Sequence, residues 1–220
     1  MRLIAAAGQL CTGKDMLSDH LKYRLNLSGY NWTRSAFANA VKQVFELGFG
    51  VSREFIEQWK RNPEPPEGFN KNIRQSLQFI GDGFRQIRDN IWIEVALRNK
   101  NDLIISDSRY INEAKQIHAK NGICIVVYRP GFENNDPNPS EAEIRPIVEF
   151  CKKYLEEGPI PSFQELKDKY KDDCPDAMQY YHFFIRNDGT LDELYDKTDK
   201  ILVPFIVKHY PREESQRYLF

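Results

Sequence analysis

Residues 3–15 read LIAAAGQLCTGKD, an apolar run followed by a loop with a glycine at each end. The spacing of Gly8, Gly13 and Lys14 is typical of a phosphate-binding loop, in which the glycines let the chain wrap so that successive N–H groups point at an anion. Lys14 would neutralise the outer phosphates. The helical pattern of leucines over residues 17–25 places a positive helix N-terminus at the same anion. The stretch therefore predicts a strand, a phosphate loop and a helix.

The last position of the loop departs from the usual pattern. Ser or Thr normally stands there and ligates Mg²⁺ through its hydroxyl, whereas Asp15 offers a carboxylate that could reach the ion directly or through a water. The alternative is a glycine-rich turn between a strand and a helix that happens to contain a lysine. The phosphate loop is favoured because a predicted strand directly precedes it and a predicted helix directly follows it.

Length and composition narrow the class of protein. A chain of 220 residues with 41% hydrophobic content predicts one compact domain with a buried core. Lys and Arg number 31 against 32 Asp and Glu, so a strongly basic surface for stable nucleic-acid binding is not expected. The apolar runs are far shorter than the roughly 20 residues that a membrane helix needs, and the Met1 end runs straight into a core strand. We therefore expect neither membrane insertion nor a secretory leader.

The cysteines also favour an intracellular setting. Cys11, Cys124, Cys151 and Cys174 are widely spaced and form no C-x-x-C pair, which argues against a zinc site and a redox motif. A reduced, cytoplasmic location is expected, namely the host cytoplasm if the chain is viral. Cys11 lies inside the phosphate loop, but no His partner is indicated nearby, so no catalytic role is expected for it.

Short apolar runs recur along the chain, each followed by a helical pattern. This alternation predicts an α/β fold with a parallel sheet and crossover helices. The predicted strands are Leu3–Ala7, Tyr30–Arg34, Leu103–Asp107, Ile123–Tyr128 and His182–Ile185. The predicted helices begin near Lys14, Ala38, Lys71, Asn112 and Leu191.

Residues 131–181 do not fit a minimal sheet. They are richer in Pro and charge, with amphipathic patterns around Ile147–Leu155 and Phe163–Tyr170. We interpret them as an insertion at the catalytic edge that forms a helical lid, with a mobile tether as the alternative. The predicted organisation is thus a single domain over residues 1–220 with a lid-like insertion at 131–181.

An acidic residue ends the predicted third strand. The sequence around it is Ile104-Ile105-Ser106-Asp107-Ser108-Arg109, and such an acid beside a phosphate loop is where Mg²⁺ is held in nucleotide-binding folds. Side chains two apart in an extended segment share a face, so Asp107 and Arg109 can point at the same phosphates. The alternative is that Asp107 only caps the following helix.

A second informative pattern lies between residues 73 and 87. At about 100° per residue, one helix face collects Arg74, Gln78, Gly81 and Arg85. A separate apolar stripe collects Ile73, Leu77, Ile80, Phe84 and Ile87. Guanidinium groups match phosphate oxygens, and a Gln amide can donate and accept at a nucleobase edge. The polar face therefore predicts an acceptor site, although an Arg/Gln face can also be solvated surface.

Taken together, the motifs resemble the phage-type deoxynucleoside monophosphate kinases over residues 1 to about 202. The motifs are Gly8-x4-Gly13-Lys14-Asp15, Arg74-x3-Gln78-x2-Gly81-x3-Arg85-x6-Trp92, Asp107-Ser108-Arg109, Arg129-Pro130-Gly131, Ser140-Glu141 and Asn187-Asp188-Gly189-Thr190-Leu191-x-Glu193-Leu194. Asp after the loop Lys is itself part of that family's pattern. The stretch from Glu141 to Tyr181 is longer than the pattern, and the tail Tyr210–Phe220 matches nothing in it.

The resemblance implies a three-layer P-loop kinase fold, with a five-stranded parallel sheet flanked by helices, that transfers the γ-phosphoryl group of ATP to a deoxynucleoside monophosphate. It implies ATP at the loop from Gly8 to Asp15, with Lys14 catalytic, and Mg²⁺ at Asp15 and Asp107. The acceptor nucleotide would be held by Arg74, Gln78, Arg85 and Arg109. Arg129 and Arg145 would border the lid and reach the transferring phosphoryl group or the substrate. Asn187 and Asp188 would lie near the adenine.

Three other functions stay open at this point. One is a different small-molecule P-loop kinase, such as one acting on dephospho-coenzyme A or phosphomevalonate. Another is a kinase acting on a modified base within phage DNA. The third is a nucleotide-binding protein that turns nothing over, against which the intact set of Lys14, Asp107 and arginines counts. The sequence does not specify the accepted bases or whether the chain forms a homodimer.

Overall fold

The computed structural model describes residues 1–98, 101–132 and 138–211. The chain divides into two compact units, which are described separately. The sheet unit comprises Met1–Ser35 and Lys100–Phe220, and the helical unit comprises Ala36–Asn99. None of the helices in the described ranges is long and apolar enough to span a membrane.

The α-helices are numbered in chain order. They are α1 (Lys14–Leu27), α2 (Phe37–Phe49), α3 (Arg53–Trp59), α4 (Ile73–Ile87), α5 (Ile91–Ala96), α6 (Ile111–Ala119), α7 (Pro139–Tyr154), α8 (Phe163–Tyr170), α9 (Leu191–Lys197) and α10 (Val203–His209). Short 3-10 helices cover Lys171–Asp173 and Asp176–Tyr180, and a π-helical turn, Thr198–Leu202, joins α9 to α10.

The sheet unit is built on one mostly parallel sheet. Its strands are β1 (Leu3–Ala7), β2 (Trp32–Ser35), β3 (Asp102–Ser108), β4 (Ile123–Tyr128), β5 (Gly158–Pro159) and β6 (Phe183–Arg186). They lie in the order β2-β3-β1-β4-β6-β5, and only β5 runs antiparallel to its neighbour. This confirms the predicted α/β fold with a parallel sheet, because the first five strands in that order are parallel.

The predicted count of five strands is corrected to six within the described residues. The additional strand, β5, has two residues, one of them Pro159, and pairs with β6 through Phe183 and Phe184. A two-residue strand gives no apolar run in the sequence, and proline is confined to sheet edges because it cannot donate a backbone hydrogen bond. The predicted second strand also begins later, at Trp32 instead of Tyr30.

Both faces of the central strands are buried. All residues of β1 and β4 are buried, which is why these strands read as continuous apolar runs. The leucines of α1 that predicted the helix, Leu17, Leu21 and Leu25, are fully buried and belong to the same core cluster as Ile4 and Val127. Helix α1 is therefore fixed to the strand that leads into the phosphate loop.

The end of the described chain is part of this core. The Tyr210 hydroxyl lies 2.8 Å from the carbonyl oxygen of Leu3 and 2.7 Å from that of Asn121. The Tyr30 hydroxyl donates to the Tyr210 carbonyl at 2.8 Å. Tyr210, the first residue of the tail that matched no motif, thus anchors α10 to β1, while residues 212–220 lie outside the described part.

The described residues between 131 and 181 are mostly helical, and helix α7 buries one of its faces. Helix α7 begins at Pro139, eight residues before the predicted amphipathic segment Ile147–Leu155, and contains Pro146. A proline inside a helix breaks the sequence pattern that would have predicted the earlier start. The residues of α7 that are buried are Glu141, Ile144, Ile147, Val148, Phe150 and Cys151. The second predicted segment, Phe163–Tyr170, coincides with α8.

The helical unit packs around Phe45, Ile56 and Ile73. Helix α4 starts at a capping box in which the Asn72 side chain accepts from the Gln75 N–H. The apolar stripe predicted along α4 is only partly buried, because Ile73 is fully buried whereas Ile87 at the other end is 83% exposed. The stripe is therefore buried at its N-terminal end and exposed at the C-terminal turn of α4.

A half-buried histidine makes the stability of the sheet unit depend on pH. Burial, with smaller effects from His118 and His209, lowers the pKa of His182 from 6.5 to about 4. Its Nδ1 accepts a hydrogen bond from the Cys124 N–H at 3.1 Å, which requires an unprotonated Nδ1. The unfolded chain therefore binds a proton that the folded state excludes as the pH falls from 6.5 towards 4.

We predict that the free energy of unfolding falls by about 2 kcal/mol between pH 7.5 and pH 5 because of His182 alone. His182→Asn keeps an acceptor but does not titrate, so its unfolding free energy should fall less over the same interval. Urea unfolding of both proteins at the two pH values measures the difference. An equal loss in the variant would contradict the assignment to His182.

Candidate active site

The loop between β1 and α1 is shaped by two glycines that cannot be replaced without strain. Gly8 has a φ of +149°, and a Cβ there would lie 2.3 Å from the carbonyl oxygen of Val127. Gly13 has a φ of +94°, and a Cβ there would lie 2.4 Å from Nδ2 of Asn187. Cys11 between them also has a positive φ, of 62°. The loop thus curls at the N-terminus of α1 in a form that fits a phosphate group.

Lys14 is the first residue of α1 and is buried in the loop. Its Nζ donates to the carbonyl oxygen of Gln9 and lies 3.4 Å from the Thr12 hydroxyl. Burial, followed by the positive charge of Arg109, lowers the pKa of Lys14 to about 7, while the nearby carboxylates raise it. A phosphate in the loop would add negative charge beside this ammonium group and favour its protonated form.

Asn187, which follows β6, holds the loop. Its Nδ2 donates to the Thr12 carbonyl at 3.0 Å, and the residue is buried. The next residue, Asp188, is exposed and pairs with Lys197 at 2.8 Å, and this hydrogen bond lowers the pKa of Asp188. Asp188 and residues of α9 line a cavity of about 360 Å³. The two residues implied to lie near adenine therefore have different surroundings.

Asp15, on the first turn of α1, is held by two side chains that the sequence analysis did not identify. Its Oδ1 accepts from the Ser106 hydroxyl at 2.8 Å and from the Arg34 guanidinium. Arg34 also donates to Asp19 at 2.9 Å. Arg34 and Ser106 stand near the carboxyl ends of β2 and β3, the edge at which the phosphate loop lies, and that position was a signal available in the sequence.

The carboxyl end of β3 brings further charges to the loop. Ala7, the last residue of β1 before the loop, pairs with Ser108 in the sheet. Asp107 and Arg109, which flank Ser108, therefore lie beside the start of the loop. Arg109 forms an ion pair with Glu141, whose Oε2 accepts from the Leu10 N–H of the loop at 3.1 Å. The N-cap of α6 is Tyr110, not Asp107, which leaves the capping alternative without support.

The carboxylates at the loop could supply some of the ligands of a divalent cation, but not all of them. In the described part of the chain, no group of three or more His, Cys, Asp or Glu side chains could hold a metal ion. Mg²⁺ in nucleotide sites keeps several waters and takes one or two carboxylates together with phosphate oxygens. Asp15 and Asp107 at the loop fit that requirement.

Of the other predicted site residues, Arg129 and Arg145 belong to the sheet unit, and the predicted acceptor-site residues belong to the helical unit. Arg129 follows β4, with its guanidinium 4.3 Å from the ring centre of Phe132, and Arg145 is half-buried on α7. Arg74, Gln78 and Arg85 are half-buried on α4 and belong to the helical unit. The structure thus brings Lys14, Asp15, Asp107 and Arg109 together at the phosphate loop.

None of the four cysteines is disulfide-bonded. Cys124, Cys151 and Cys174 are buried, and Cys11 in the loop is exposed. Burial raises the pKa of the Cys124 and Cys151 thiols far above the usual range, so neither is an activated nucleophile.

The parallel order β2-β3-β1-β4-β6, with a glycine-framed loop and a buried lysine between β1 and α1, defines a P-loop kinase fold. No protein-family model matches the chain. A protein of Acanthamoeba polyphaga mimivirus, named "Putative deoxynucleotide monophosphate kinase", is 29% identical over 170 aligned positions, and the match covers 68% of this chain and 86% of that protein. This relative confirms the motif resemblance to the deoxynucleoside monophosphate kinases.

Solved structures are more distant. The shikimate kinase of Aquifex aeolicus is 11% identical with a TM-score of 0.42, and covers 96% of this chain and 99% of its own. The shikimate kinase of Acinetobacter baumannii is 15% identical with a TM-score of 0.44, covering 96% of each chain. Likenesses this weak do not define an activity or a substrate.

The hydrogen bond from Asn187 to the loop leads to a prediction about phosphate binding. Asn187→Ala should raise the Kd for ATP by about 5- to 30-fold, because one hydrogen bond that shapes the loop is lost. It should raise the Kd for tripolyphosphate similarly, since tripolyphosphate has no base. Calorimetric titration measures both ligands, with Asp192→Asn, at an exposed position of α9, as the control. Weaker ATP binding with unchanged tripolyphosphate binding would contradict a role at the loop.

Proposed function

We propose that the protein transfers the γ-phosphoryl group of ATP to a deoxynucleoside monophosphate and so supplies diphosphates for DNA precursor synthesis. The observation that carries the proposal is the convergence of Lys14, Asp15, Asp107 and Arg109 on a loop shaped for phosphate. The named activity of the mimivirus relative supports the acceptor class.

The reaction requires alignment and charge neutralisation more than covalent help from the protein. An oxygen of the acceptor phosphate, already ionised near neutral pH, attacks the γ-phosphorus while the bond from that phosphorus to the bridging oxygen of ATP breaks, and ADP leaves. No general base is needed. Lys14 and Arg109 would stabilise the charge on the transferring group, with Arg129 and Arg145 as further cations near α7.

Mg²⁺, when bound, neutralises charge on the phosphate oxygens. Asp15 and Asp107 would hold the ion at the loop. The guanidinium of Arg34 already contacts Oδ1 of Asp15. Asp15 would therefore share its carboxylate between Arg34 and the ion, which it would reach directly or through a bound water.

Acceptor binding is assigned to α4 of the helical unit, and we propose that both units act as one kinase domain. The guanidiniums of Arg74 and Arg85 would bind the acceptor phosphate, and Gln78 would bind the base edge. Asn187 and Asp188 would lie on the ATP side, near the adenine.

A lid-like role for residues 131–181 is also a proposal. Glu141 already attaches α7 to the loop, so closure would have to keep that contact. Hydrogen exchange with and without a bisubstrate analogue tests this, because closure removes backbone amides from water. Protection should rise near Arg129 and in the first turn of α7. Unchanged exchange in these residues would mean that the insertion is a fixed part of the fold and not a lid.

The proposed function is tested by an acceptor screen that measures ADP release with ATP and Mg²⁺. The panel contains deoxynucleoside monophosphates with normal and modified bases, their ribose counterparts, dephospho-coenzyme A, phosphomevalonate and DNA carrying modified bases. Rapid turnover of deoxynucleoside monophosphates, lost in Lys14→Ala, is expected. Turnover confined to one of the other acceptors, or none beyond the Lys14→Ala background, would contradict the proposal.

Gln78 provides a test of the acceptor site. Gln78→Ala should raise the acceptor KM and change the preference among bases, with little effect on the KM for ATP, because a positioned amide contributes about 1–3 kcal/mol to recognition. Steady-state kinetics across the four bases measures this. Gln86→Ala, an exposed glutamine of the same helix, is the control. A uniform loss of ATP affinity with unchanged base preference would place Gln78 elsewhere.

A further inference from the structure

Glu141 is a charged residue in the core of the sheet unit that the transfer reaction leaves without a role. Its side chain is fully buried in the first turn of α7. One carboxylate oxygen accepts from the Leu10 N–H of the phosphate loop at 3.1 Å, and the other pairs with Nη1 of Arg109. A single carboxylate therefore joins three separate segments, namely the loop, the end of β3 and α7.

A buried carboxylate is costly unless nearby groups compensate for its lost hydration. The Leu10 N–H and the Arg109 guanidinium provide that compensation. Removal of either partner would leave a charge in the interior, so the three groups are expected to act together.

The site also contains a repulsive pair of cations. The charge of Arg109 lowers the pKa of Lys14, which means that the two cations are close enough to disfavour each other. The charge of Glu141 acts on Lys14 in the opposite direction. A site that binds several phosphate oxygens needs its cations gathered before the phosphates arrive, and this arrangement is unfavourable without a counter-charge.

We propose that Glu141 is a positioning residue whose carboxylate acts as the counter-anion that holds Arg109 beside Lys14 at the phosphate loop. It touches neither nucleotide and acts through Arg109. The expected effect of Glu141 on turnover rests on the proposed function. The expected effect on phosphate binding does not, because phosphate binding needs no acceptor. It also explains why a carboxylate is buried next to a site for anions.

A double-mutant cycle tests the proposal. Glu141→Gln keeps an acceptor for the Leu10 N–H but removes the charge. In an otherwise unchanged protein it should lower kcat/KM for the deoxynucleoside monophosphate by about 10- to 100-fold and change the Kd for tripolyphosphate by at least about 5-fold. In the Arg109→Gln background the same substitution should change both quantities by less than about 2-fold.

The controls separate positioning from simple stabilisation. Glu143→Gln alters another α7 carboxylate, which accepts from the Ile111 N–H at 3.2 Å, and should leave both quantities unchanged. Urea unfolding of each variant monitors folding, and Glu141→Met, which also removes the charge at a similar side-chain volume, replaces Glu141→Gln in the cycle if the latter is unfolded.

Multiplicative effects in the cycle, or a Glu141 variant with normal tripolyphosphate binding, would overturn the proposal. A wild-type protein that binds tripolyphosphate with the expected coupling but phosphorylates no deoxynucleoside monophosphate would instead overturn the proposed function alone.

Discussion

The whole site depends on the close approach of the phosphate loop to the sheet beneath it. At Gly8 the backbone lies against the Val127 carbonyl, and at Gly13 it lies against the amide of Asn187, with no room for a side chain at either point. Val127 belongs to β4 and Asn187 follows β6, so the shape of the loop is set by strands far away in sequence. Because those strands are parallel, their carboxyl ends meet at the loop.

Charge organisation follows from the same geometry. The ends of β2 and β3 deliver Arg34, Ser106, Asp107 and Arg109 to the edge where α1 begins. Two carboxylates at this edge are paired with cations, Asp15 with Arg34 and Glu141 with Arg109. For the proposed function, in which the site receives the phosphates of two nucleotides, the cations are already in place and little reorganisation is needed on binding.

Much of the sheet unit could be predicted from the sequence, because its strongest signals are local. The run Leu3–Ala7, the loop glycines and the leucines of α1 predict the strand, loop and helix that the structure contains. What could not be predicted depends on contacts between distant residues. Glu141 contacts Leu10 across 131 positions, and Asn187 contacts Thr12 across 175. Strand β5 escaped prediction because two residues leave no periodic pattern.

We propose that the protein aligns two nucleotides for direct phosphoryl transfer. The most direct test is calorimetric titration with a bisubstrate analogue, in which adenosine and a deoxynucleoside are joined by a chain of phosphates. Because one molecule would occupy both sites, the account predicts that the analogue binds at least about 100-fold more tightly than ATP, and that Lys14→Ala abolishes the advantage. An analogue that binds no more tightly than ATP would contradict the account.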